Sequence, residues 1–110
     1  MERIQVLVAS STCVEKVRGA LAQDRNWRVL FKKTPDPNCH GVVVMDQGAF
    51  DRMQTPLQQP DRFVLITRNE PELLDHAWNA GITSVIFEGD PAETLLLAIQ
   101  AALLRMHKRN

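Results

Sequence analysis

The group best placed for chemistry in this chain is the carboxylate of Asp46, which ends the run Gly41-Val42-Val43-Val44-Met45-Asp46. An unbroken apolar run bounded by Gly and Asp reads as a strand covered on both faces. In open α/β sheets the ligand-facing side lies beyond the carboxyl ends of the strands, so Asp46 falls where a site would be built. A strand-end carboxylate caps nearby backbone N–H groups or contacts a ligand, and both readings stay open at this stage. Three hydroxyls, Ser10-Ser11-Thr12, follow the first strand-like run, and the free N–H groups of the helix they open would attract an anion. Cys13 reads as a small buried or half-buried thiol. Cys13 and Cys39 lack CxxC spacing, and His40 points away from its neighbour Cys39 in an extended segment, so no metal set is expected.

The elements that must position these groups alternate. Ile4 to Ala9 (IQVLVA) is strand-like. Thr12-Cys13-Val14-Glu15 fits a capping box, with Val14, Val17 and Leu21 on one helical face behind it. Trp27 to Phe31 is a second strand, and Lys33 to His40, with two prolines and an Asn, is a loop. That eight-residue loop is too short for a full crossover helix. After the Val42 strand, Phe50, Met53 and Leu57 form a weak helical pattern interrupted at Pro56. Phe63 to Ile66 is a fourth strand. The next helix has Pro71 near its start and Gly81 just past its end. Ser84 to Phe87 is a fifth strand, and Asp90-Pro91-Ala92-Glu93 combines an N-cap with a capping-box Glu before a helix to about His107. Strands alternating with helices require right-handed crossovers and a parallel sheet. The expected fold is α/β: a flavodoxin-like three-layer sandwich with a five-stranded parallel sheet, order 2-1-3-4-5, its second crossover helix short or missing.

The totals exclude several classes. At 110 residues the chain is one domain, 1–110. Thirteen basic residues balance thirteen acidic ones, so no nucleic-acid surface is expected. The one basic cluster, Arg105 to Arg109, suits a helix C-terminus. There is no signal-type apolar segment and none of transmembrane length, which makes a reduced, cytoplasmic protein without membrane contact the expectation.

In element order and in several local patterns the sequence resembles a response-regulator receiver domain. VVVMD resembles the third strand, which ends on the phosphoacceptor aspartate, and places that role on Asp46. FVLIT resembles the fourth strand and places the Thr/Ser position on Thr67. Ala77-Trp78-Asn79-Ala80-Gly81-Ile82-Thr83-Ser84-Val85-Ile86-Phe87 resembles the approach to strand five. The departures matter more. The acidic pair that holds Mg²⁺ after strand one is replaced by Ser10 and Ser11, and one carboxylate with two hydroxyls is a poor Mg²⁺ site. The Lys-Pro ending strand five is replaced by Glu88-Gly89. Two carboxylates about 4 Å apart at an effective dielectric of ~20 repel by roughly 4 kcal/mol, which opposes a phosphoryl group. The aromatic switch position falls on Val85, and no Pro follows Asp46 four residues on. Glu88 could instead supply a metal oxygen, restoring a two-carboxylate site.

Two other resemblances are weaker. A flavodoxin-like FMN site would want more hydroxyls, Gly and stacking aromatics than the Ser10 loop, Trp27 and Trp78 offer, so no cofactor is expected. Cys13 sits like the Cys of sugar-transport IIB domains and low-molecular-weight tyrosine phosphatases. The latter need five residues between Cys and Arg, and only four separate Cys13 from Arg18.

In the last helix Leu95, Ile99, Ala102 and Met106 form the face that should cover the sheet. Leu97, Ala101 and Leu104 lie nearly opposite, too apolar for a stripe facing water. Receivers use this region to dimerise or to touch output domains. The resemblance thus implies a non-enzymatic pseudo-receiver, phosphorylation-independent, acting as homodimer or docked module through its fifth-helix face. It further implies the N-terminal regulatory part of a larger response regulator with a linked output domain. The alternative is a working phosphoacceptor using Asp46 and Thr67 with unusual metal support.

Overall fold

The structure, a computed structural model, describes residues 2–22, 26–34, 41–53, 57 and 59–108. Residues with high β preference and no helical period form β1 (Glu2–Leu7), β2 (Trp27–Phe31), β3 (Val42–Asp46), β4 (Phe63–Thr67) and β5 (Ser84–Phe87). The helices are α1 (Ser11–Leu21), α2 (Gln47–Asp51), α3 (Pro71–Asn79) and α4 (Ala92–Lys108), with a 3₁₀ turn at Pro60–Arg62. All pairings are parallel and the strand order is β2-β1-β3-β4-β5. This is the expected sheet. Between β2 and β3 the described residues hold no helix; Pro35, Pro37, Cys39 and His40 lie outside the described residues, as do Pro56 and Arg109.

Every residue of β3 and β4 is buried, as a central strand with helices on both faces requires. Alternate side chains feed two cores. Ile4, Val6, Val42, Val44, Val64, Ile66 and Ile86 meet α1 and α4, where Val17, Leu95, Ile99 and Ala102 are wholly enclosed. Val43, Met45, Phe63 and Leu65 meet α2 and α3, and the Phe50 ring stacks on His76 with centroids 4.4 Å apart. Burying each such Leu, Ile or Val contributes about 2 kcal/mol. No helix among the described residues is long and apolar enough to cross a membrane.

Two glycines are fixed by geometry. A Cβ at Gly41 would lie 1.8 Å from the backbone oxygen of Arg3, so only Gly lets β3 start this close to β1. Gly81, at φ 85°, ends α3. Its N–H donates to Trp78 O and that of Ile82 to Ala77 O, a Schellman ending with Ala77 and Ile82 both buried. Both helix starts expected from capping boxes are corrected. The N-cap of α1 is Ser10, whose hydroxyl accepts from the Cys13 N–H, because the chain turns immediately after β1. Asp90 instead turns its carboxylate back onto the Phe87 N–H at 2.8 Å, closing the β5 turn, and α4 begins at Ala92. The first strand also runs from Glu2 to Leu7 rather than Ile4 to Ala9.

Candidate functional site

The parallel register brings the strand ends together: Leu7 lies beside Met45, Asp46 beside Ile66, and Thr67 beside Phe87. Asp46 ends β3, and its neighbour strand β1 delivers Ala9 and Ser10 to it. That is the switch point where the strand order reverses, the usual place for a ligand.

At this point stands the chain's own carboxylate. Asp46, 6% exposed, accepts hydrogen bonds from the backbone N–H groups of Ala9 and Ser10 on one oxygen and of Ala49 on the other, each at 2.9 Å. The third bond makes Asp46 the N-cap of α2. Three charge-assisted bonds hold the carboxylate, two on one oxygen and one on the other, and take three of its about four acceptor positions. Its donors Ala9 and Ser10 lie just before α1, whose own first-turn N–H at Cys13 is taken by the Ser10 hydroxyl.

The other positions are arranged around this staple. Thr67, 1% exposed, gives its hydroxyl proton to Gln47 Oε1 at 2.6 Å rather than to Asp46. Gln47 in turn donates from Nε2 to Asp51 at 2.8 Å. Ser10 and Ser11 are exposed, the first as a cap and the second as the first residue of α1. Val85 is half-buried against the α2–α3 core. Glu88 is exposed, so its charge is largely screened by water, and its backbone N–H pairs with Thr67 O at 3.0 Å. Lys16 of α1 reaches across to donate its ammonium to the Glu88 carbonyl oxygen.

Cys13 lies beneath this cluster and reports its charge. Burial first, then the Asp46 and Glu88 carboxylates, push the thiol up from 9.0 to about 11, and Lys16 opposes them. A neutral, buried thiol is no nucleophile. The donor set is also a poor fit for Mg²⁺. Both Asp46 oxygens are engaged, Ser10 and Ser11 are neutral, an ammonium stands at the β5 end, and no group of three His, Cys, Asp or Glu forms a cluster among the described residues.

Sequence reasoning missed Lys16 and Gln47. Lys16 was hidden because the cation it resembles would sit on β5, whereas here it comes from one turn beyond Cys13. Gln47 could have been found as the residue that must follow a strand-end cap.

No protein-family model matches the sequence, and no curated protein does. Solved structures do. A response regulator receiver domain protein from Clostridium thermocellum superposes with a TM-score of 0.71 at 18% identity, covering 100% of each chain. A CheY-like receiver domain protein from Methanospirillum hungatei gives 0.71 at 16% identity over 100% of this chain and 99% of that one. The ChxR receiver domain from Chlamydia trachomatis gives 0.61 at 11% identity over 94% and 99%. The chain therefore has the fold of receiver domains, in agreement with the resemblance carried by its motifs.

Proposed function

We propose that this chain is a pseudo-receiver: a signalling or interaction module that keeps the receiver fold and works without phosphorylation. The observation that carries the reading is the three-fold backbone capture of Asp46. In-line phosphoryl transfer needs a free carboxylate oxygen as nucleophile and positive charge around the phosphoryl oxygens. Asp46 is 6% exposed with most of its acceptor capacity already taken, and its surroundings supply little of the second, since Lys16 is turned to a carbonyl and Glu88 is acidic. A carboxylate so held acts as a structural anion, tying the end of β1 to the start of α2.

A module without a switchable site acts through its surface. Leu97 and Leu104 are each 65% exposed on α4 and Ala101 between them is exposed, while Leu95, Ile99 and Ala102 hold the same helix to the sheet. The second stripe supports recognition of a protein through α4, as a linked output domain, a separate partner or a second copy. Regulation in the cytoplasm, with no nucleic acid or membrane contact of its own, fits the balanced charge.

The experiment is incubation with acetyl phosphate or beryllofluoride in millimolar Mg²⁺, read by intact mass and by amide chemical shifts. No mass gain and no shifts at Ala9, Ser10 and Ala49 are expected. An adduct on Asp46 would return the chain to the phosphoacceptor class. Titration with Mg²⁺ or Mn²⁺ while following Trp fluorescence separately tests the metal alternative through Glu88.

A further inference from the structure

The edge of the sheet at β2 combines an open backbone with one apolar face and one basic face. β2 stands last in the strand order, so one of its sides has no neighbour among the described residues. On the other side the Lys32 N–H donates to Val6 O at 3.0 Å. In a parallel ladder every second residue bonds to the same neighbour, so Arg28 and Leu30 also turn their amides toward β1. The N–H and C=O groups of Val29 and Phe31 therefore point to the open side, where they can pair with a further strand.

The two faces of β2 ask for different side chains from such a strand. Trp27, Val29 and Phe31 lie on the α1 side, where Arg18, Leu21 and Ala22 complete a groove of about 280 Å³. Trp27 and Val29 pack against the core there, whereas Phe31 is exposed. The opposite face carries Arg28 and Lys32, with Lys33 just beyond; all are exposed, and the described segment 26–34 holds no acid. The Arg18 guanidinium lies flat over the Phe31 ring, 4.4 Å from its centroid. Stacking uses its face and leaves its N–H edge open. Among the described residues no hydrogen bond or ion pair engages that edge, not even from Glu15 one turn back on α1.

We propose that the β2 edge docks an extended, acidic segment of a partner protein, added as a further strand. Side chains of such a strand alternate between faces. Apolar residues enter the Trp27–Phe31 groove, acids on the other face meet Arg28 and Lys32, and a carboxylate at the groove's lip takes the open edge of Arg18. A second copy of β2 would set Arg28 and Lys32 against their own kind, so the charges that bar self-pairing select the acidic partner. This surface lies at the opposite end of the strand order from β5, and the inference goes beyond the α4 reading and stands without it.

The probe is a capped peptide of alternating valine and glutamate, long enough to span β2, titrated into the Trp78→Phe protein. Trp78 is exposed, and its removal leaves Trp27 in the groove as the remaining tryptophan. Trp27 fluorescence is expected to change saturably below about 1 mM peptide, and amide exchange at Val29 and Phe31 to slow. Arg28→Glu combined with Lys32→Glu should weaken this peptide about tenfold and admit its valine–lysine counterpart instead, since both contacts change sign. Both side chains are exposed, so the variant should keep its fold, which circular dichroism checks. A peptide of the same composition with its valines and glutamates in separate blocks should bind the native edge about tenfold more weakly. Equal binding of the block peptide, which would mean attraction by charge alone, overturns the proposal. So does an alternating peptide that fails to bind, or one that leaves exchange at Val29 and Phe31 unchanged. Each of these results leaves the acetyl phosphate experiment, and the pseudo-receiver reading it tests, untouched.

Discussion

Replacing Asp46 by Ala should destabilise the protein by about 3 kcal/mol, and the figure follows from where its three donors lie. Removing a charged acceptor costs roughly 1.5–3 kcal/mol per bond when the donor stays dry. Ala9 and Ser10 are exposed, so water can take over their N–H groups and most of that cost is returned. Ala49 is 5% exposed, and its N–H would be left without an acceptor at the start of α2. That bond is the α2 cap, so its loss is already counted, and the part of the Ala9 and Ser10 bonds that water does not return supplies the remainder. For a domain of this size the sum corresponds to a fall in Tm of roughly 15 °C.

Asp46→Asn should cost less, about 1–2 kcal/mol. Its remaining oxygen can still cap Ala49, while its amide N–H₂ faces the donors of Ala9 and Ser10. Urea and thermal unfolding followed by circular dichroism measure both. The ranking Ala worse than Asn worse than native is the signature of a structural anion. If Asn were neutral or stabilising, Asp46 would be a repelled acid in an electronegative pocket, and the reasoning would be refuted.

Other outcomes follow from single contacts. Because the Cys13 thiol is raised from 9.0 to about 11, the folded state binds more protons than the unfolded one between those values, so stability is complete below pH 9 and declines as pH rises toward 11. Subtracting the urea midpoints of Cys13→Ala from those of the native chain should isolate a loss of up to about 2 kcal/mol in that window. Lys16→Met removes the one charge that lowers this thiol, so disulfide-reagent labelling at alkaline pH should slow further. Gly41→Ala forces a methyl into the Arg3 carbonyl and should leave little folded protein, as judged by heteronuclear NMR dispersion. Arg105→Met removes donors to the Asp61 carbonyl and the Ser84 hydroxyl and should cost about 1–2 kcal/mol by urea unfolding.

The architecture was legible because its signals are redundant. Val42 to Met45 and Phe63 to Ile66 are apolar on both faces, and Pro71 and Gly81 bracket a helix, so order and layering follow from local pattern. Helix starts were less so. Ser10, Ser11 and Thr12 are all able caps, and the choice of Ser10 was made by the tertiary pull of Asp46 on the Ser10 N–H. At the other helix the Asp90 carboxylate accepts from the Phe87 N–H, a contact across the β5 turn, and α4 starts at Ala92. The site was half legible. Residue types showed that Ser10, Ser11 and Glu88 could not assemble the usual charges, but the capture of Asp46 by Ala9 N–H depends on a 37-residue separation that no local pattern encodes.

The staple at Asp46 has a consequence for where this protein can evolve new contacts. An incoming ligand at the top of the sheet must first evict an internal guest held by three bonds, a toll that weak early binders cannot meet. Mutations that improve recognition therefore meet less resistance along the flanks, where side chains already face water and nothing needs to be displaced. New contacts are then easier to build on the sides of the fold than at its mouth.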